Sequence, residues 1–308
     1  LKLKDYSADS VLRAAMHGST DFPNLTADVA NKSLQRGYGR VPASWKPLAR
    51  RNDAPDFKRI NRPRIGAAPK MERLPQGAEI RHGTVGETGE SWSLLTYAKA
   101  VTLTRQAIIN DDTDALDRLP SAMGAQTAEL ESDIVWSLIT SNPIMAEDGT
   151  ALFHSDHNNL ETGAGSAFSE DALSKARENM RLQVDLNGET QINVNPRWLV
   201  VPPQLETKAQ KQTASVNPNA ADDVNPFASQ FQGVIVEARL AADSATAWYL
   251  AADPTLVEMI EYGTLQGNSG PVIESRDSWT HDGVEFRGIY DFGAGVLDFR
   301  GLHKSAGV

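Results

Sequence analysis

Residues 91–142 constrain the fold most, because a long alternating stretch runs there directly into one long amphipathic helix. The stretch SWSLLTYAKAVTLTRQAIINDD places its odd-numbered positions 97–105 on one face and its even-numbered positions 98–104 on the other. A period of two is typical of a strand with two different environments. No domain-sized loop separates this strand from the helix, so the pair indicates a structural building block and not an enzyme cleft.

The helical period begins at Thr113 and is predicted to last until near Ser141. One face is apolar apart from Thr127 and carries Leu116, Leu119, Met123, Leu130, Ile134 and Leu138. Carboxylates complement the positive N-terminal end of a helix, and three stand there: Asp111, Asp112 and Asp114. Pro120 implies either a kink or a main helix that begins at this residue. At 1.5 Å per residue the helix would be roughly 30 to 40 Å long, so we expect it to act as a spine.

Length and composition exclude several classes of protein. The chain has 308 residues and 40% hydrophobic content, which suffices for a sizeable core and for two domains, or for one domain with long appendages. No apolar run is long enough to span a membrane, and the first residues, LKLKDYSADS, lack the apolar centre of a signal peptide. The absence of cysteine excludes disulfides, thiolate zinc sites and cysteine nucleophiles.

Charge is distributed unevenly along the chain. Residues 1–83 contain 16 Lys and Arg against 8 Asp and Glu, a net charge of +8, whereas residues 84–308 contain 14 against 32, a net charge of −18. A basic segment of this kind could neutralise nucleic-acid phosphates, or it could lie on the acidic surface of a neighbouring copy. We favour the neighbouring copy, because the basic residues from Arg50 to Arg73 are dispersed among Pro and Gly with Phe57 as the only aromatic, which provides no stacking platform for bases.

The first hundred residues have the character of arms. Short helices are predicted over 10–17 and 28–35, and Pro or Gly interrupts the sequence around them. A strand over 57–65, the turn residues of IGAAPKMERLPQGA, and return segments over 79–84 and 91–109 predict an extended hairpin of about forty residues. Loops of that length are uncommon in a compact domain unless they are functional, so we expect this one to reach another subunit. The basic residues expected to make the contact are Arg59, Arg62, Arg64, Lys70, Arg73 and Arg81.

The second half of the chain predicts a mixed unit with a boundary near Asn195. Before it, Ser169 is expected to cap a helix whose inner face holds Leu173, Ala176 and Met180. After it, RWLVVPP predicts a short buried strand, QLETKAQKQTAS a helix and VNPNAADDVNPFASQ a loop. Further strands are predicted over 233–240, 247–251, 257–262, 272–275, 284–292 and 295–299.

Five segments carry a family resemblance through their order along the chain: HGSTDFPNLTADVANKSLQRGY, SWKPLARRNDAPDFK, ESWSLLTYAKAVTLTRQAIINDD, DGTALFHSDHNNL and RWLVVPPQLETKAQ. They are similar to the major capsid proteins of tailed phages, in the Mu-like major head subunit family. The resemblance covers nearly the whole chain and implies the Hong Kong-type capsid fold, an α+β architecture. Its implied parts are an N-terminal arm over 1–53, an extended hairpin loop over 54–110, a peripheral domain with the spine helix over 111–194, an axial domain over 195–270 and return strands over 271–308.

The resemblance implies a structural protein and not an enzyme. Its copies would form hexamers and pentamers of an icosahedral head, assembled in the host bacterial cytoplasm, that encloses double-stranded DNA without sequence-specific binding. Implied partners are a portal, decoration proteins and a scaffold or maturation protease, with no cofactor and no metal. Such subunits are often made with an N-terminal portion that is cleaved off, which would explain why the chain starts at Leu1 and not at methionine, although a trimmed chain would have the same start.

Two alternatives stand beside this interpretation. One is a compartment shell of the same fold that encloses protein cargo. The other is a metal-dependent hydrolase using His154 and His157. Their spacing is not that of a zinc helix and no third ligand is indicated, so hydrogen bonding within a polar loop is the expected role.

The string GNSGP over 267–271 lacks the Asp and the further Gly of a serine-protease loop and predicts a turn between strands.

Lys70 raises the question of a covalent crosslink. Some capsids of this fold join a lysine on the extended loop to an asparagine of a neighbouring subunit, and Lys70 lies in the predicted loop. The match is positional, and amide formation needs a desolvated, deprotonated lysine beside a carboxylate base. We therefore expect a solvated or salt-bridging Lys70.

Overall fold

The computed structural model describes residues 23–65, 87–104, 115–188, 190–214, 227, 230–268, 270–277 and 283–308. The α-helices in these ranges are α1 (Pro23–Tyr38), α2 (Ala115–Thr140), α3 (Glu170–Arg181), α4 (Glu206–Thr213) and α5 (Leu240–Asp243). The strands are β1 (Ala49–Arg51), β2 (Ile60–Ile65), β3 (Glu87–Trp92), β4 (Leu95–Thr104), β5 (Leu160–Glu161), β6 (Trp198–Val201), β7 (Gly233–Val236), β8 (Trp248–Ala251), β9 (Ile260–Thr264), β10 (Val272–Asp277), β11 (Gly283–Val296) and β12 (Leu302–Ser305). The expectations for residues 10–17, 79–84 and 215–226, and those for Lys70, Arg73, Arg81, Asp111, Asp112 and Asp114, fall outside the described residues.

The first sheet has the order β1-β9-β11-β10, with β4 as a further partner of β11. β11 has 14 residues, and β4 runs antiparallel beside it. The sequence predicts two strands here, over 284–292 and 295–299, and this detail is wrong because β11 continues through Gly293. A Cβ at Gly293 would lie 2.4 Å from the backbone oxygen of Ser93, so this glycine permits a close approach and marks no turn.

The predicted spine is α2, a continuous helix of 26 residues and about 39 Å. Pro120 lies inside the helix, so the main helix does not begin at that residue. The predicted apolar stripe is displaced from the buried face, since Leu119, Met123, Leu130, Ile134 and Leu138 are only half-buried. The buried side of α2 carries Gly124, Ala128, Glu131, Ser132, Val135, Trp136 and Ile139.

The displacement follows from the close packing of α1 on α2. A Cβ at Gly124 would lie 2.0 Å from the backbone oxygen of Leu34, and a Cβ at Gly37 would lie 1.9 Å from the backbone oxygen of Ser121. Helices that approach this closely require glycine where their surfaces touch. A stripe defined by large aliphatic side chains therefore misses the centre of this contact.

The second sheet has the order β5-β12-β8-β6-β7. β6 and α4 confirm the strand and helix predicted from RWLVVPP and QLETKAQKQTAS. Ser169 caps α3 as predicted, because its side chain accepts a hydrogen bond from the backbone N–H of Ala172. β7 is shorter than the predicted strand over 233–240, because α5 already begins at Leu240. The predicted inner face of α3 is confirmed by the buried side chains of Leu173, Ala176 and Met180.

β12 lies between β5 and β8, parallel to the first and antiparallel to the second. The sequence pattern does not predict this strand, because its buried residues include the polar His303 and Ser305. The second sheet thus takes strands from 160–161 and 302–305, on either side of the segment 195–270 expected to form the axial domain. The domain boundaries stay a prediction.

β2 and β3 form a two-stranded hairpin, with register from Ile60↔Trp92 to Ile65↔Glu87. The predicted return over 91–109 is wrong beyond Trp92, because β4 leaves the hairpin and pairs with β11 instead. The tip, residues 66–86, lies outside the described ranges.

The main apolar core is continuous between the two sheets and includes three fully buried tryptophans, Trp45, Trp136 and Trp248. A smaller cluster anchors the hairpin, with Ile60 packed against Ala54, Trp92, Leu94 and Leu297. Within the described residues, no helix combines the length and the apolar character needed to cross a bilayer.

Candidate subunit-contact site at the base of the hairpin

Two of the predicted contact residues, Arg62 and Arg64, lie on β2 at the base of the hairpin. Residues two apart in a strand share a face, so both guanidinium groups leave the hairpin on the same side. Both reach carboxylates of the body of the same chain, in two adjacent groups of charges. We call these the Glu261 group and the Arg300 group.

The Glu261 group surrounds one buried carboxylate on β9. Arg62 donates to both oxygens of Glu261, with Nε at 2.8 and 3.0 Å and a terminal nitrogen at 2.7 Å. Trp92 of β3 and Asn52 donate to the same carboxylate at 3.1 and 3.0 Å. Glu261 is only 2% exposed, and a buried carboxylate is stable only when it is paired and hydrogen-bonded. Both strands of the hairpin are therefore tied to the first sheet through one side chain.

The Arg300 group consists of Arg64, Glu147, Asp298 and Arg300. Arg64 contacts Asp298 at 2.5 Å and Glu147 at 3.3 Å. Arg300 contacts Glu147 at 2.6 Å and Asp298 at 3.3 Å, and its Nε donates to the backbone oxygen of Val184 at 2.8 Å. Burial lowers the pKa of Arg300, but the hydrogen bond to Glu147 and the charge of Asp298 outweigh it, so the pKa is raised. The Arg300 guanidinium stays charged and joins the loops of Glu147 and Val184 to its own loop, while Arg64 attaches the hairpin to the same two carboxylates.

Glu90 of β3 adds a contact from the other strand of the hairpin. Its carboxylate accepts hydrogen bonds from the backbone N–H groups of Ala146 and Glu147, at 2.6 and 3.0 Å. Burial raises the pKa of Glu90, although these two hydrogen bonds and the charge of Arg64 act in the opposite direction. The loop after α2 is thereby held against the hairpin.

These contacts define what the predicted residues do within one subunit. Arg62 and Arg64 hold the hairpin to its own body, while Arg59 is exposed and forms no ion pair with a described residue. Lys70, Arg73 and Arg81 belong to the tip, outside the described ranges. Contact of these six residues with another subunit stays a prediction.

Sequence reasoning did not identify Glu147, Glu261, Asp298 and Arg300, the body side of this site. Their partners lie far away in sequence: Arg62 and Glu261 are separated by 199 positions, and Arg64 and Asp298 by 234. One usable signal is Glu261 itself, a carboxylate within the apolar segment that forms β9, because such a residue needs a buried partner.

His154 and His157, the residues of the hydrolase alternative, are occupied by hydrogen bonds. The Nδ1 of His157 lies 3.1 Å from the backbone oxygen of Leu152, and its Nε2 lies 2.7 Å from Asp148. The Nδ1 of His154 accepts from the backbone N–H of Asp156 at 3.2 Å. Three of the four ring nitrogens are thus engaged in the loop, and no cluster of metal-ligating side chains occurs among the described residues.

The fold resembles solved shell proteins over most of its length. Matches include a virus-like particle from Pyrococcus furiosus, with 11% identity, 90% of this chain and 98% of that chain covered, and a TM-score of 0.53. The mature capsid of bacteriophage PhiM1 has 12% identity, 86% coverage of both chains and a TM-score of 0.58. The capsid of cyanophage Pam1 has 11% identity, 86% and 93% coverage and a TM-score of 0.57. These likenesses confirm the Hong Kong-type capsid fold.

The sequence itself identifies the family. The phage capsid protein model matches residues 88–305, well over half of the chain, so the chain belongs to the phage capsid protein family. No curated protein matches the sequence. The chain is therefore a major capsid protein of the virion and a structural protein, not an enzyme. Its place in the Mu-like subfamily stays a prediction.

Proposed function

We propose that the hairpin is the arm by which each subunit of the shell engages the next. The observation that carries this proposal is the Glu261 group, in which Arg62 and Trp92 attach both strands of the hairpin to the buried Glu261. A hairpin fixed at its base to the first sheet presents its tip in one direction, so less conformational entropy is lost when the tip binds. Lys70, Arg73 and Arg81 lie in that tip and carry the charge for an acidic neighbour.

We further propose that the two sheets correspond to two functional units. The first sheet with α1 and α2 forms the peripheral unit, and the second sheet with α3 and α4 forms the axial unit that meets its copies around the symmetry axes of hexamers and pentamers. Support comes from the strand orders, in which each sheet has its own set of strands. This division assigns β5 and β12 to the axial unit.

We also propose that the shell encloses double-stranded DNA and is assembled in the host bacterial cytoplasm. Its partners would be a portal, decoration proteins and a scaffold or maturation protease. They are supported by membership of the phage capsid family. The DNA would be enclosed without sequence-specific binding, and the strongly negative net charge of residues 84–308 disfavours close contact with its phosphates.

Replacement of residues 66–86 by a short Gly/Ser linker tests the arm. This deletion keeps β2, β3, the Glu261 group and the Arg300 group, so we expect the melting temperature to change by no more than about 4 °C, the shift expected for roughly 1 kcal/mol in a chain of this size. Electron microscopy should show no closed shells. A matched control keeps the length of the tip but scrambles its sequence.

Closed shells from the deletion would contradict the proposed arm. Loss of the cooperative melt would instead show that the tip belongs to the core of the subunit. Shells from the scrambled control would show that the length of the arm matters and its residues do not.

A further inference from the structure

The first sheet has two outer strands beside β11, and their free edges differ. Residues 284–289 of β11 pair with both β10 and β4, so these two strands lie on opposite sides of β11. A free strand edge presents unpaired N–H and C=O groups and is a template for another strand. The way each edge is covered therefore bears on what the subunit binds.

The edge of β10 is covered by side chains of α1. Asn31 donates to the backbone oxygen of Ile273 at 3.2 Å and accepts from its N–H at 3.0 Å. Gln35 donates to the backbone oxygen of Pro271 at 3.1 Å. These side chains take the place of a neighbouring strand, so β10 cannot pair further at this point.

Among the residues that the structure describes, nothing covers the edge of β4 in this way. Over residues 95–103, no described strand or side chain other than β11 bonds to the backbone of β4. The exposed side chains of this stretch are Leu95, Thr96, Ala98, Lys99, Ala100 and Thr102. Lys99 is the only charged residue, and neither Pro nor Gly interrupts the strand.

Soluble proteins guard a long edge strand with several charges, a proline, a bulge or a covering loop. In the described part of the chain, β4 has one lysine but no proline, bulge or covering loop. The edge of β10 in the same sheet is covered by α1. An edge left open over this length would aggregate unless the working state of the protein covers it. In a shell, the partners available to every subunit are other copies of the chain.

We propose that the outer edge of β4 takes an extended strand from a second copy of this chain, which continues the first sheet across the subunit boundary. The proposal rests on the function as a shell protein. Alternate residues of a strand offer both backbone groups to the same side, so residues 95–103 would form about eight hydrogen bonds with the added strand. Such bonds provide affinity independent of side chains, as in β-strand addition generally.

Hydrogen exchange on shells and on unassembled subunits tests the proposal directly. Electron microscopy first establishes that shells are present, since a chain that forms none contradicts the shell function itself. In unassembled subunits, about half of the amides of residues 95–103 should exchange fast, because they face outward. In shells the same amides should slow by at least about 100-fold, as expected for hydrogen-bonded strand amides.

Two proline variants give a second measurement. Neighbouring residues of β4 point their N–H groups to opposite sides, so of Ala98→Pro and Lys99→Pro one removes an outward N–H and the other removes a bond to β11. The outward variant should fold and fail to form shells. Ala98→Ser and Lys99→Ala are the matched controls, because they change the side chain and keep the N–H; both should form shells.

The identity of the added strand is read by a photo-crosslinking residue at position 100 in shells built from mixed ¹⁴N and ¹⁵N subunits. Crosslinked peptides that combine both isotopes are expected, since the strand comes from another copy. Crosslinks within one isotope only, or to a different protein, would overturn the proposal. Unchanged exchange of residues 95–103 on assembly, or slow exchange already in the unassembled subunit, would overturn it as well.

Discussion

His303 of β12 is a buried titratable group without a charged partner. The ring is fully buried, its Nδ1 has no hydrogen-bond partner among the described residues, and its Nε2 lies 3.5 Å from the amide of Asn179. Burial lowers its pKa from 6.5 to about 4, because the charged ring cannot be solvated. The folded second sheet therefore holds His303 in its neutral form.

The direction of the resulting pH effect follows from proton counts. Between pH 6.5 and 4 the unfolded chain binds a proton at His303 and the folded chain does not, so stability is complete above pH 6.5 and falls as the pH is lowered towards 4. His303 should contribute a loss of about 3 kcal/mol over this window. Urea unfolding of the subunit and of the His303→Gln variant, each from pH 7 to 4, measures this loss of stability. The variant should lose less free energy of unfolding as the pH is lowered. Parallel curves for the two proteins would rule out this role of His303.

Arg62 allows a test of the Glu261 group. Removal of its side chain leaves Glu261 buried with Asn52 and Trp92 as its side-chain donors among the described residues. Loss of one partner of a buried ion pair costs about 3 to 5 kcal/mol, and since Arg62 is about one third exposed we expect Arg62→Ala to lower the free energy of unfolding by about 2 to 3 kcal/mol.

Arg59→Ala is the matched control, because Arg59 is exposed and has no ion pair with a described residue. It should change the free energy of unfolding by less than about 0.5 kcal/mol. Denaturant titrations of both variants measure the difference. Equal effects would mean that the pairing of Arg62 with Glu261 does not hold the hairpin.

At the scale of elements, the contact of α1 with α2 depends on the absence of side chains. A Cβ at Gly124 would overlap the backbone oxygen of Leu34, which cannot move aside as a flexible side chain can. Gly124→Ala should therefore destabilise the subunit by at least about 2 kcal/mol, although alanine is the better helix former. Gly165→Ala is the control, since a Cβ there meets nothing within 4 Å and should be neutral. Thermal melts compare the two variants. A melting temperature of Gly124→Ala equal to that of the unchanged protein would show that the two helices can move apart without loss of stability.

The elements also show what a sequence can predict. The spine helix, the cap of α3 and the strand β6 were predictable because each depends on a local pattern of period, cap or apolar run. The part of the buried face of α2 that contains Gly124 and Ala128 was not predictable, because small residues at a close helix contact resemble exposed positions. The partner of β4 was not predictable either, since strand pairing depends on contacts distant in sequence and the alternation of β4 does not specify β11.

At the scale of the whole molecule, part of the charge asymmetry is used within the subunit. Arg50 pairs with Glu258, Arg62 with Glu261 and Arg64 with Asp298. The family and the α+β class were predictable, because the order of several weak motifs is specific even when each is not. The candidate site was predictable in part: Arg62 and Arg64 were identified, but their carboxylate partners in the same chain were not.

The chain order of the strands has a consequence for synthesis. β11 pairs with β4, β9 and β10 and is made after all of them, and β12, which joins β5 to β8, is the last strand of the second sheet. Neither sheet is complete until residues 283–305 have left the ribosome. A polypeptide that stops before them lacks the central strand of the first sheet and leaves β5 without its partner, so we expect an interrupted round of translation to yield a chain that cannot complete either sheet.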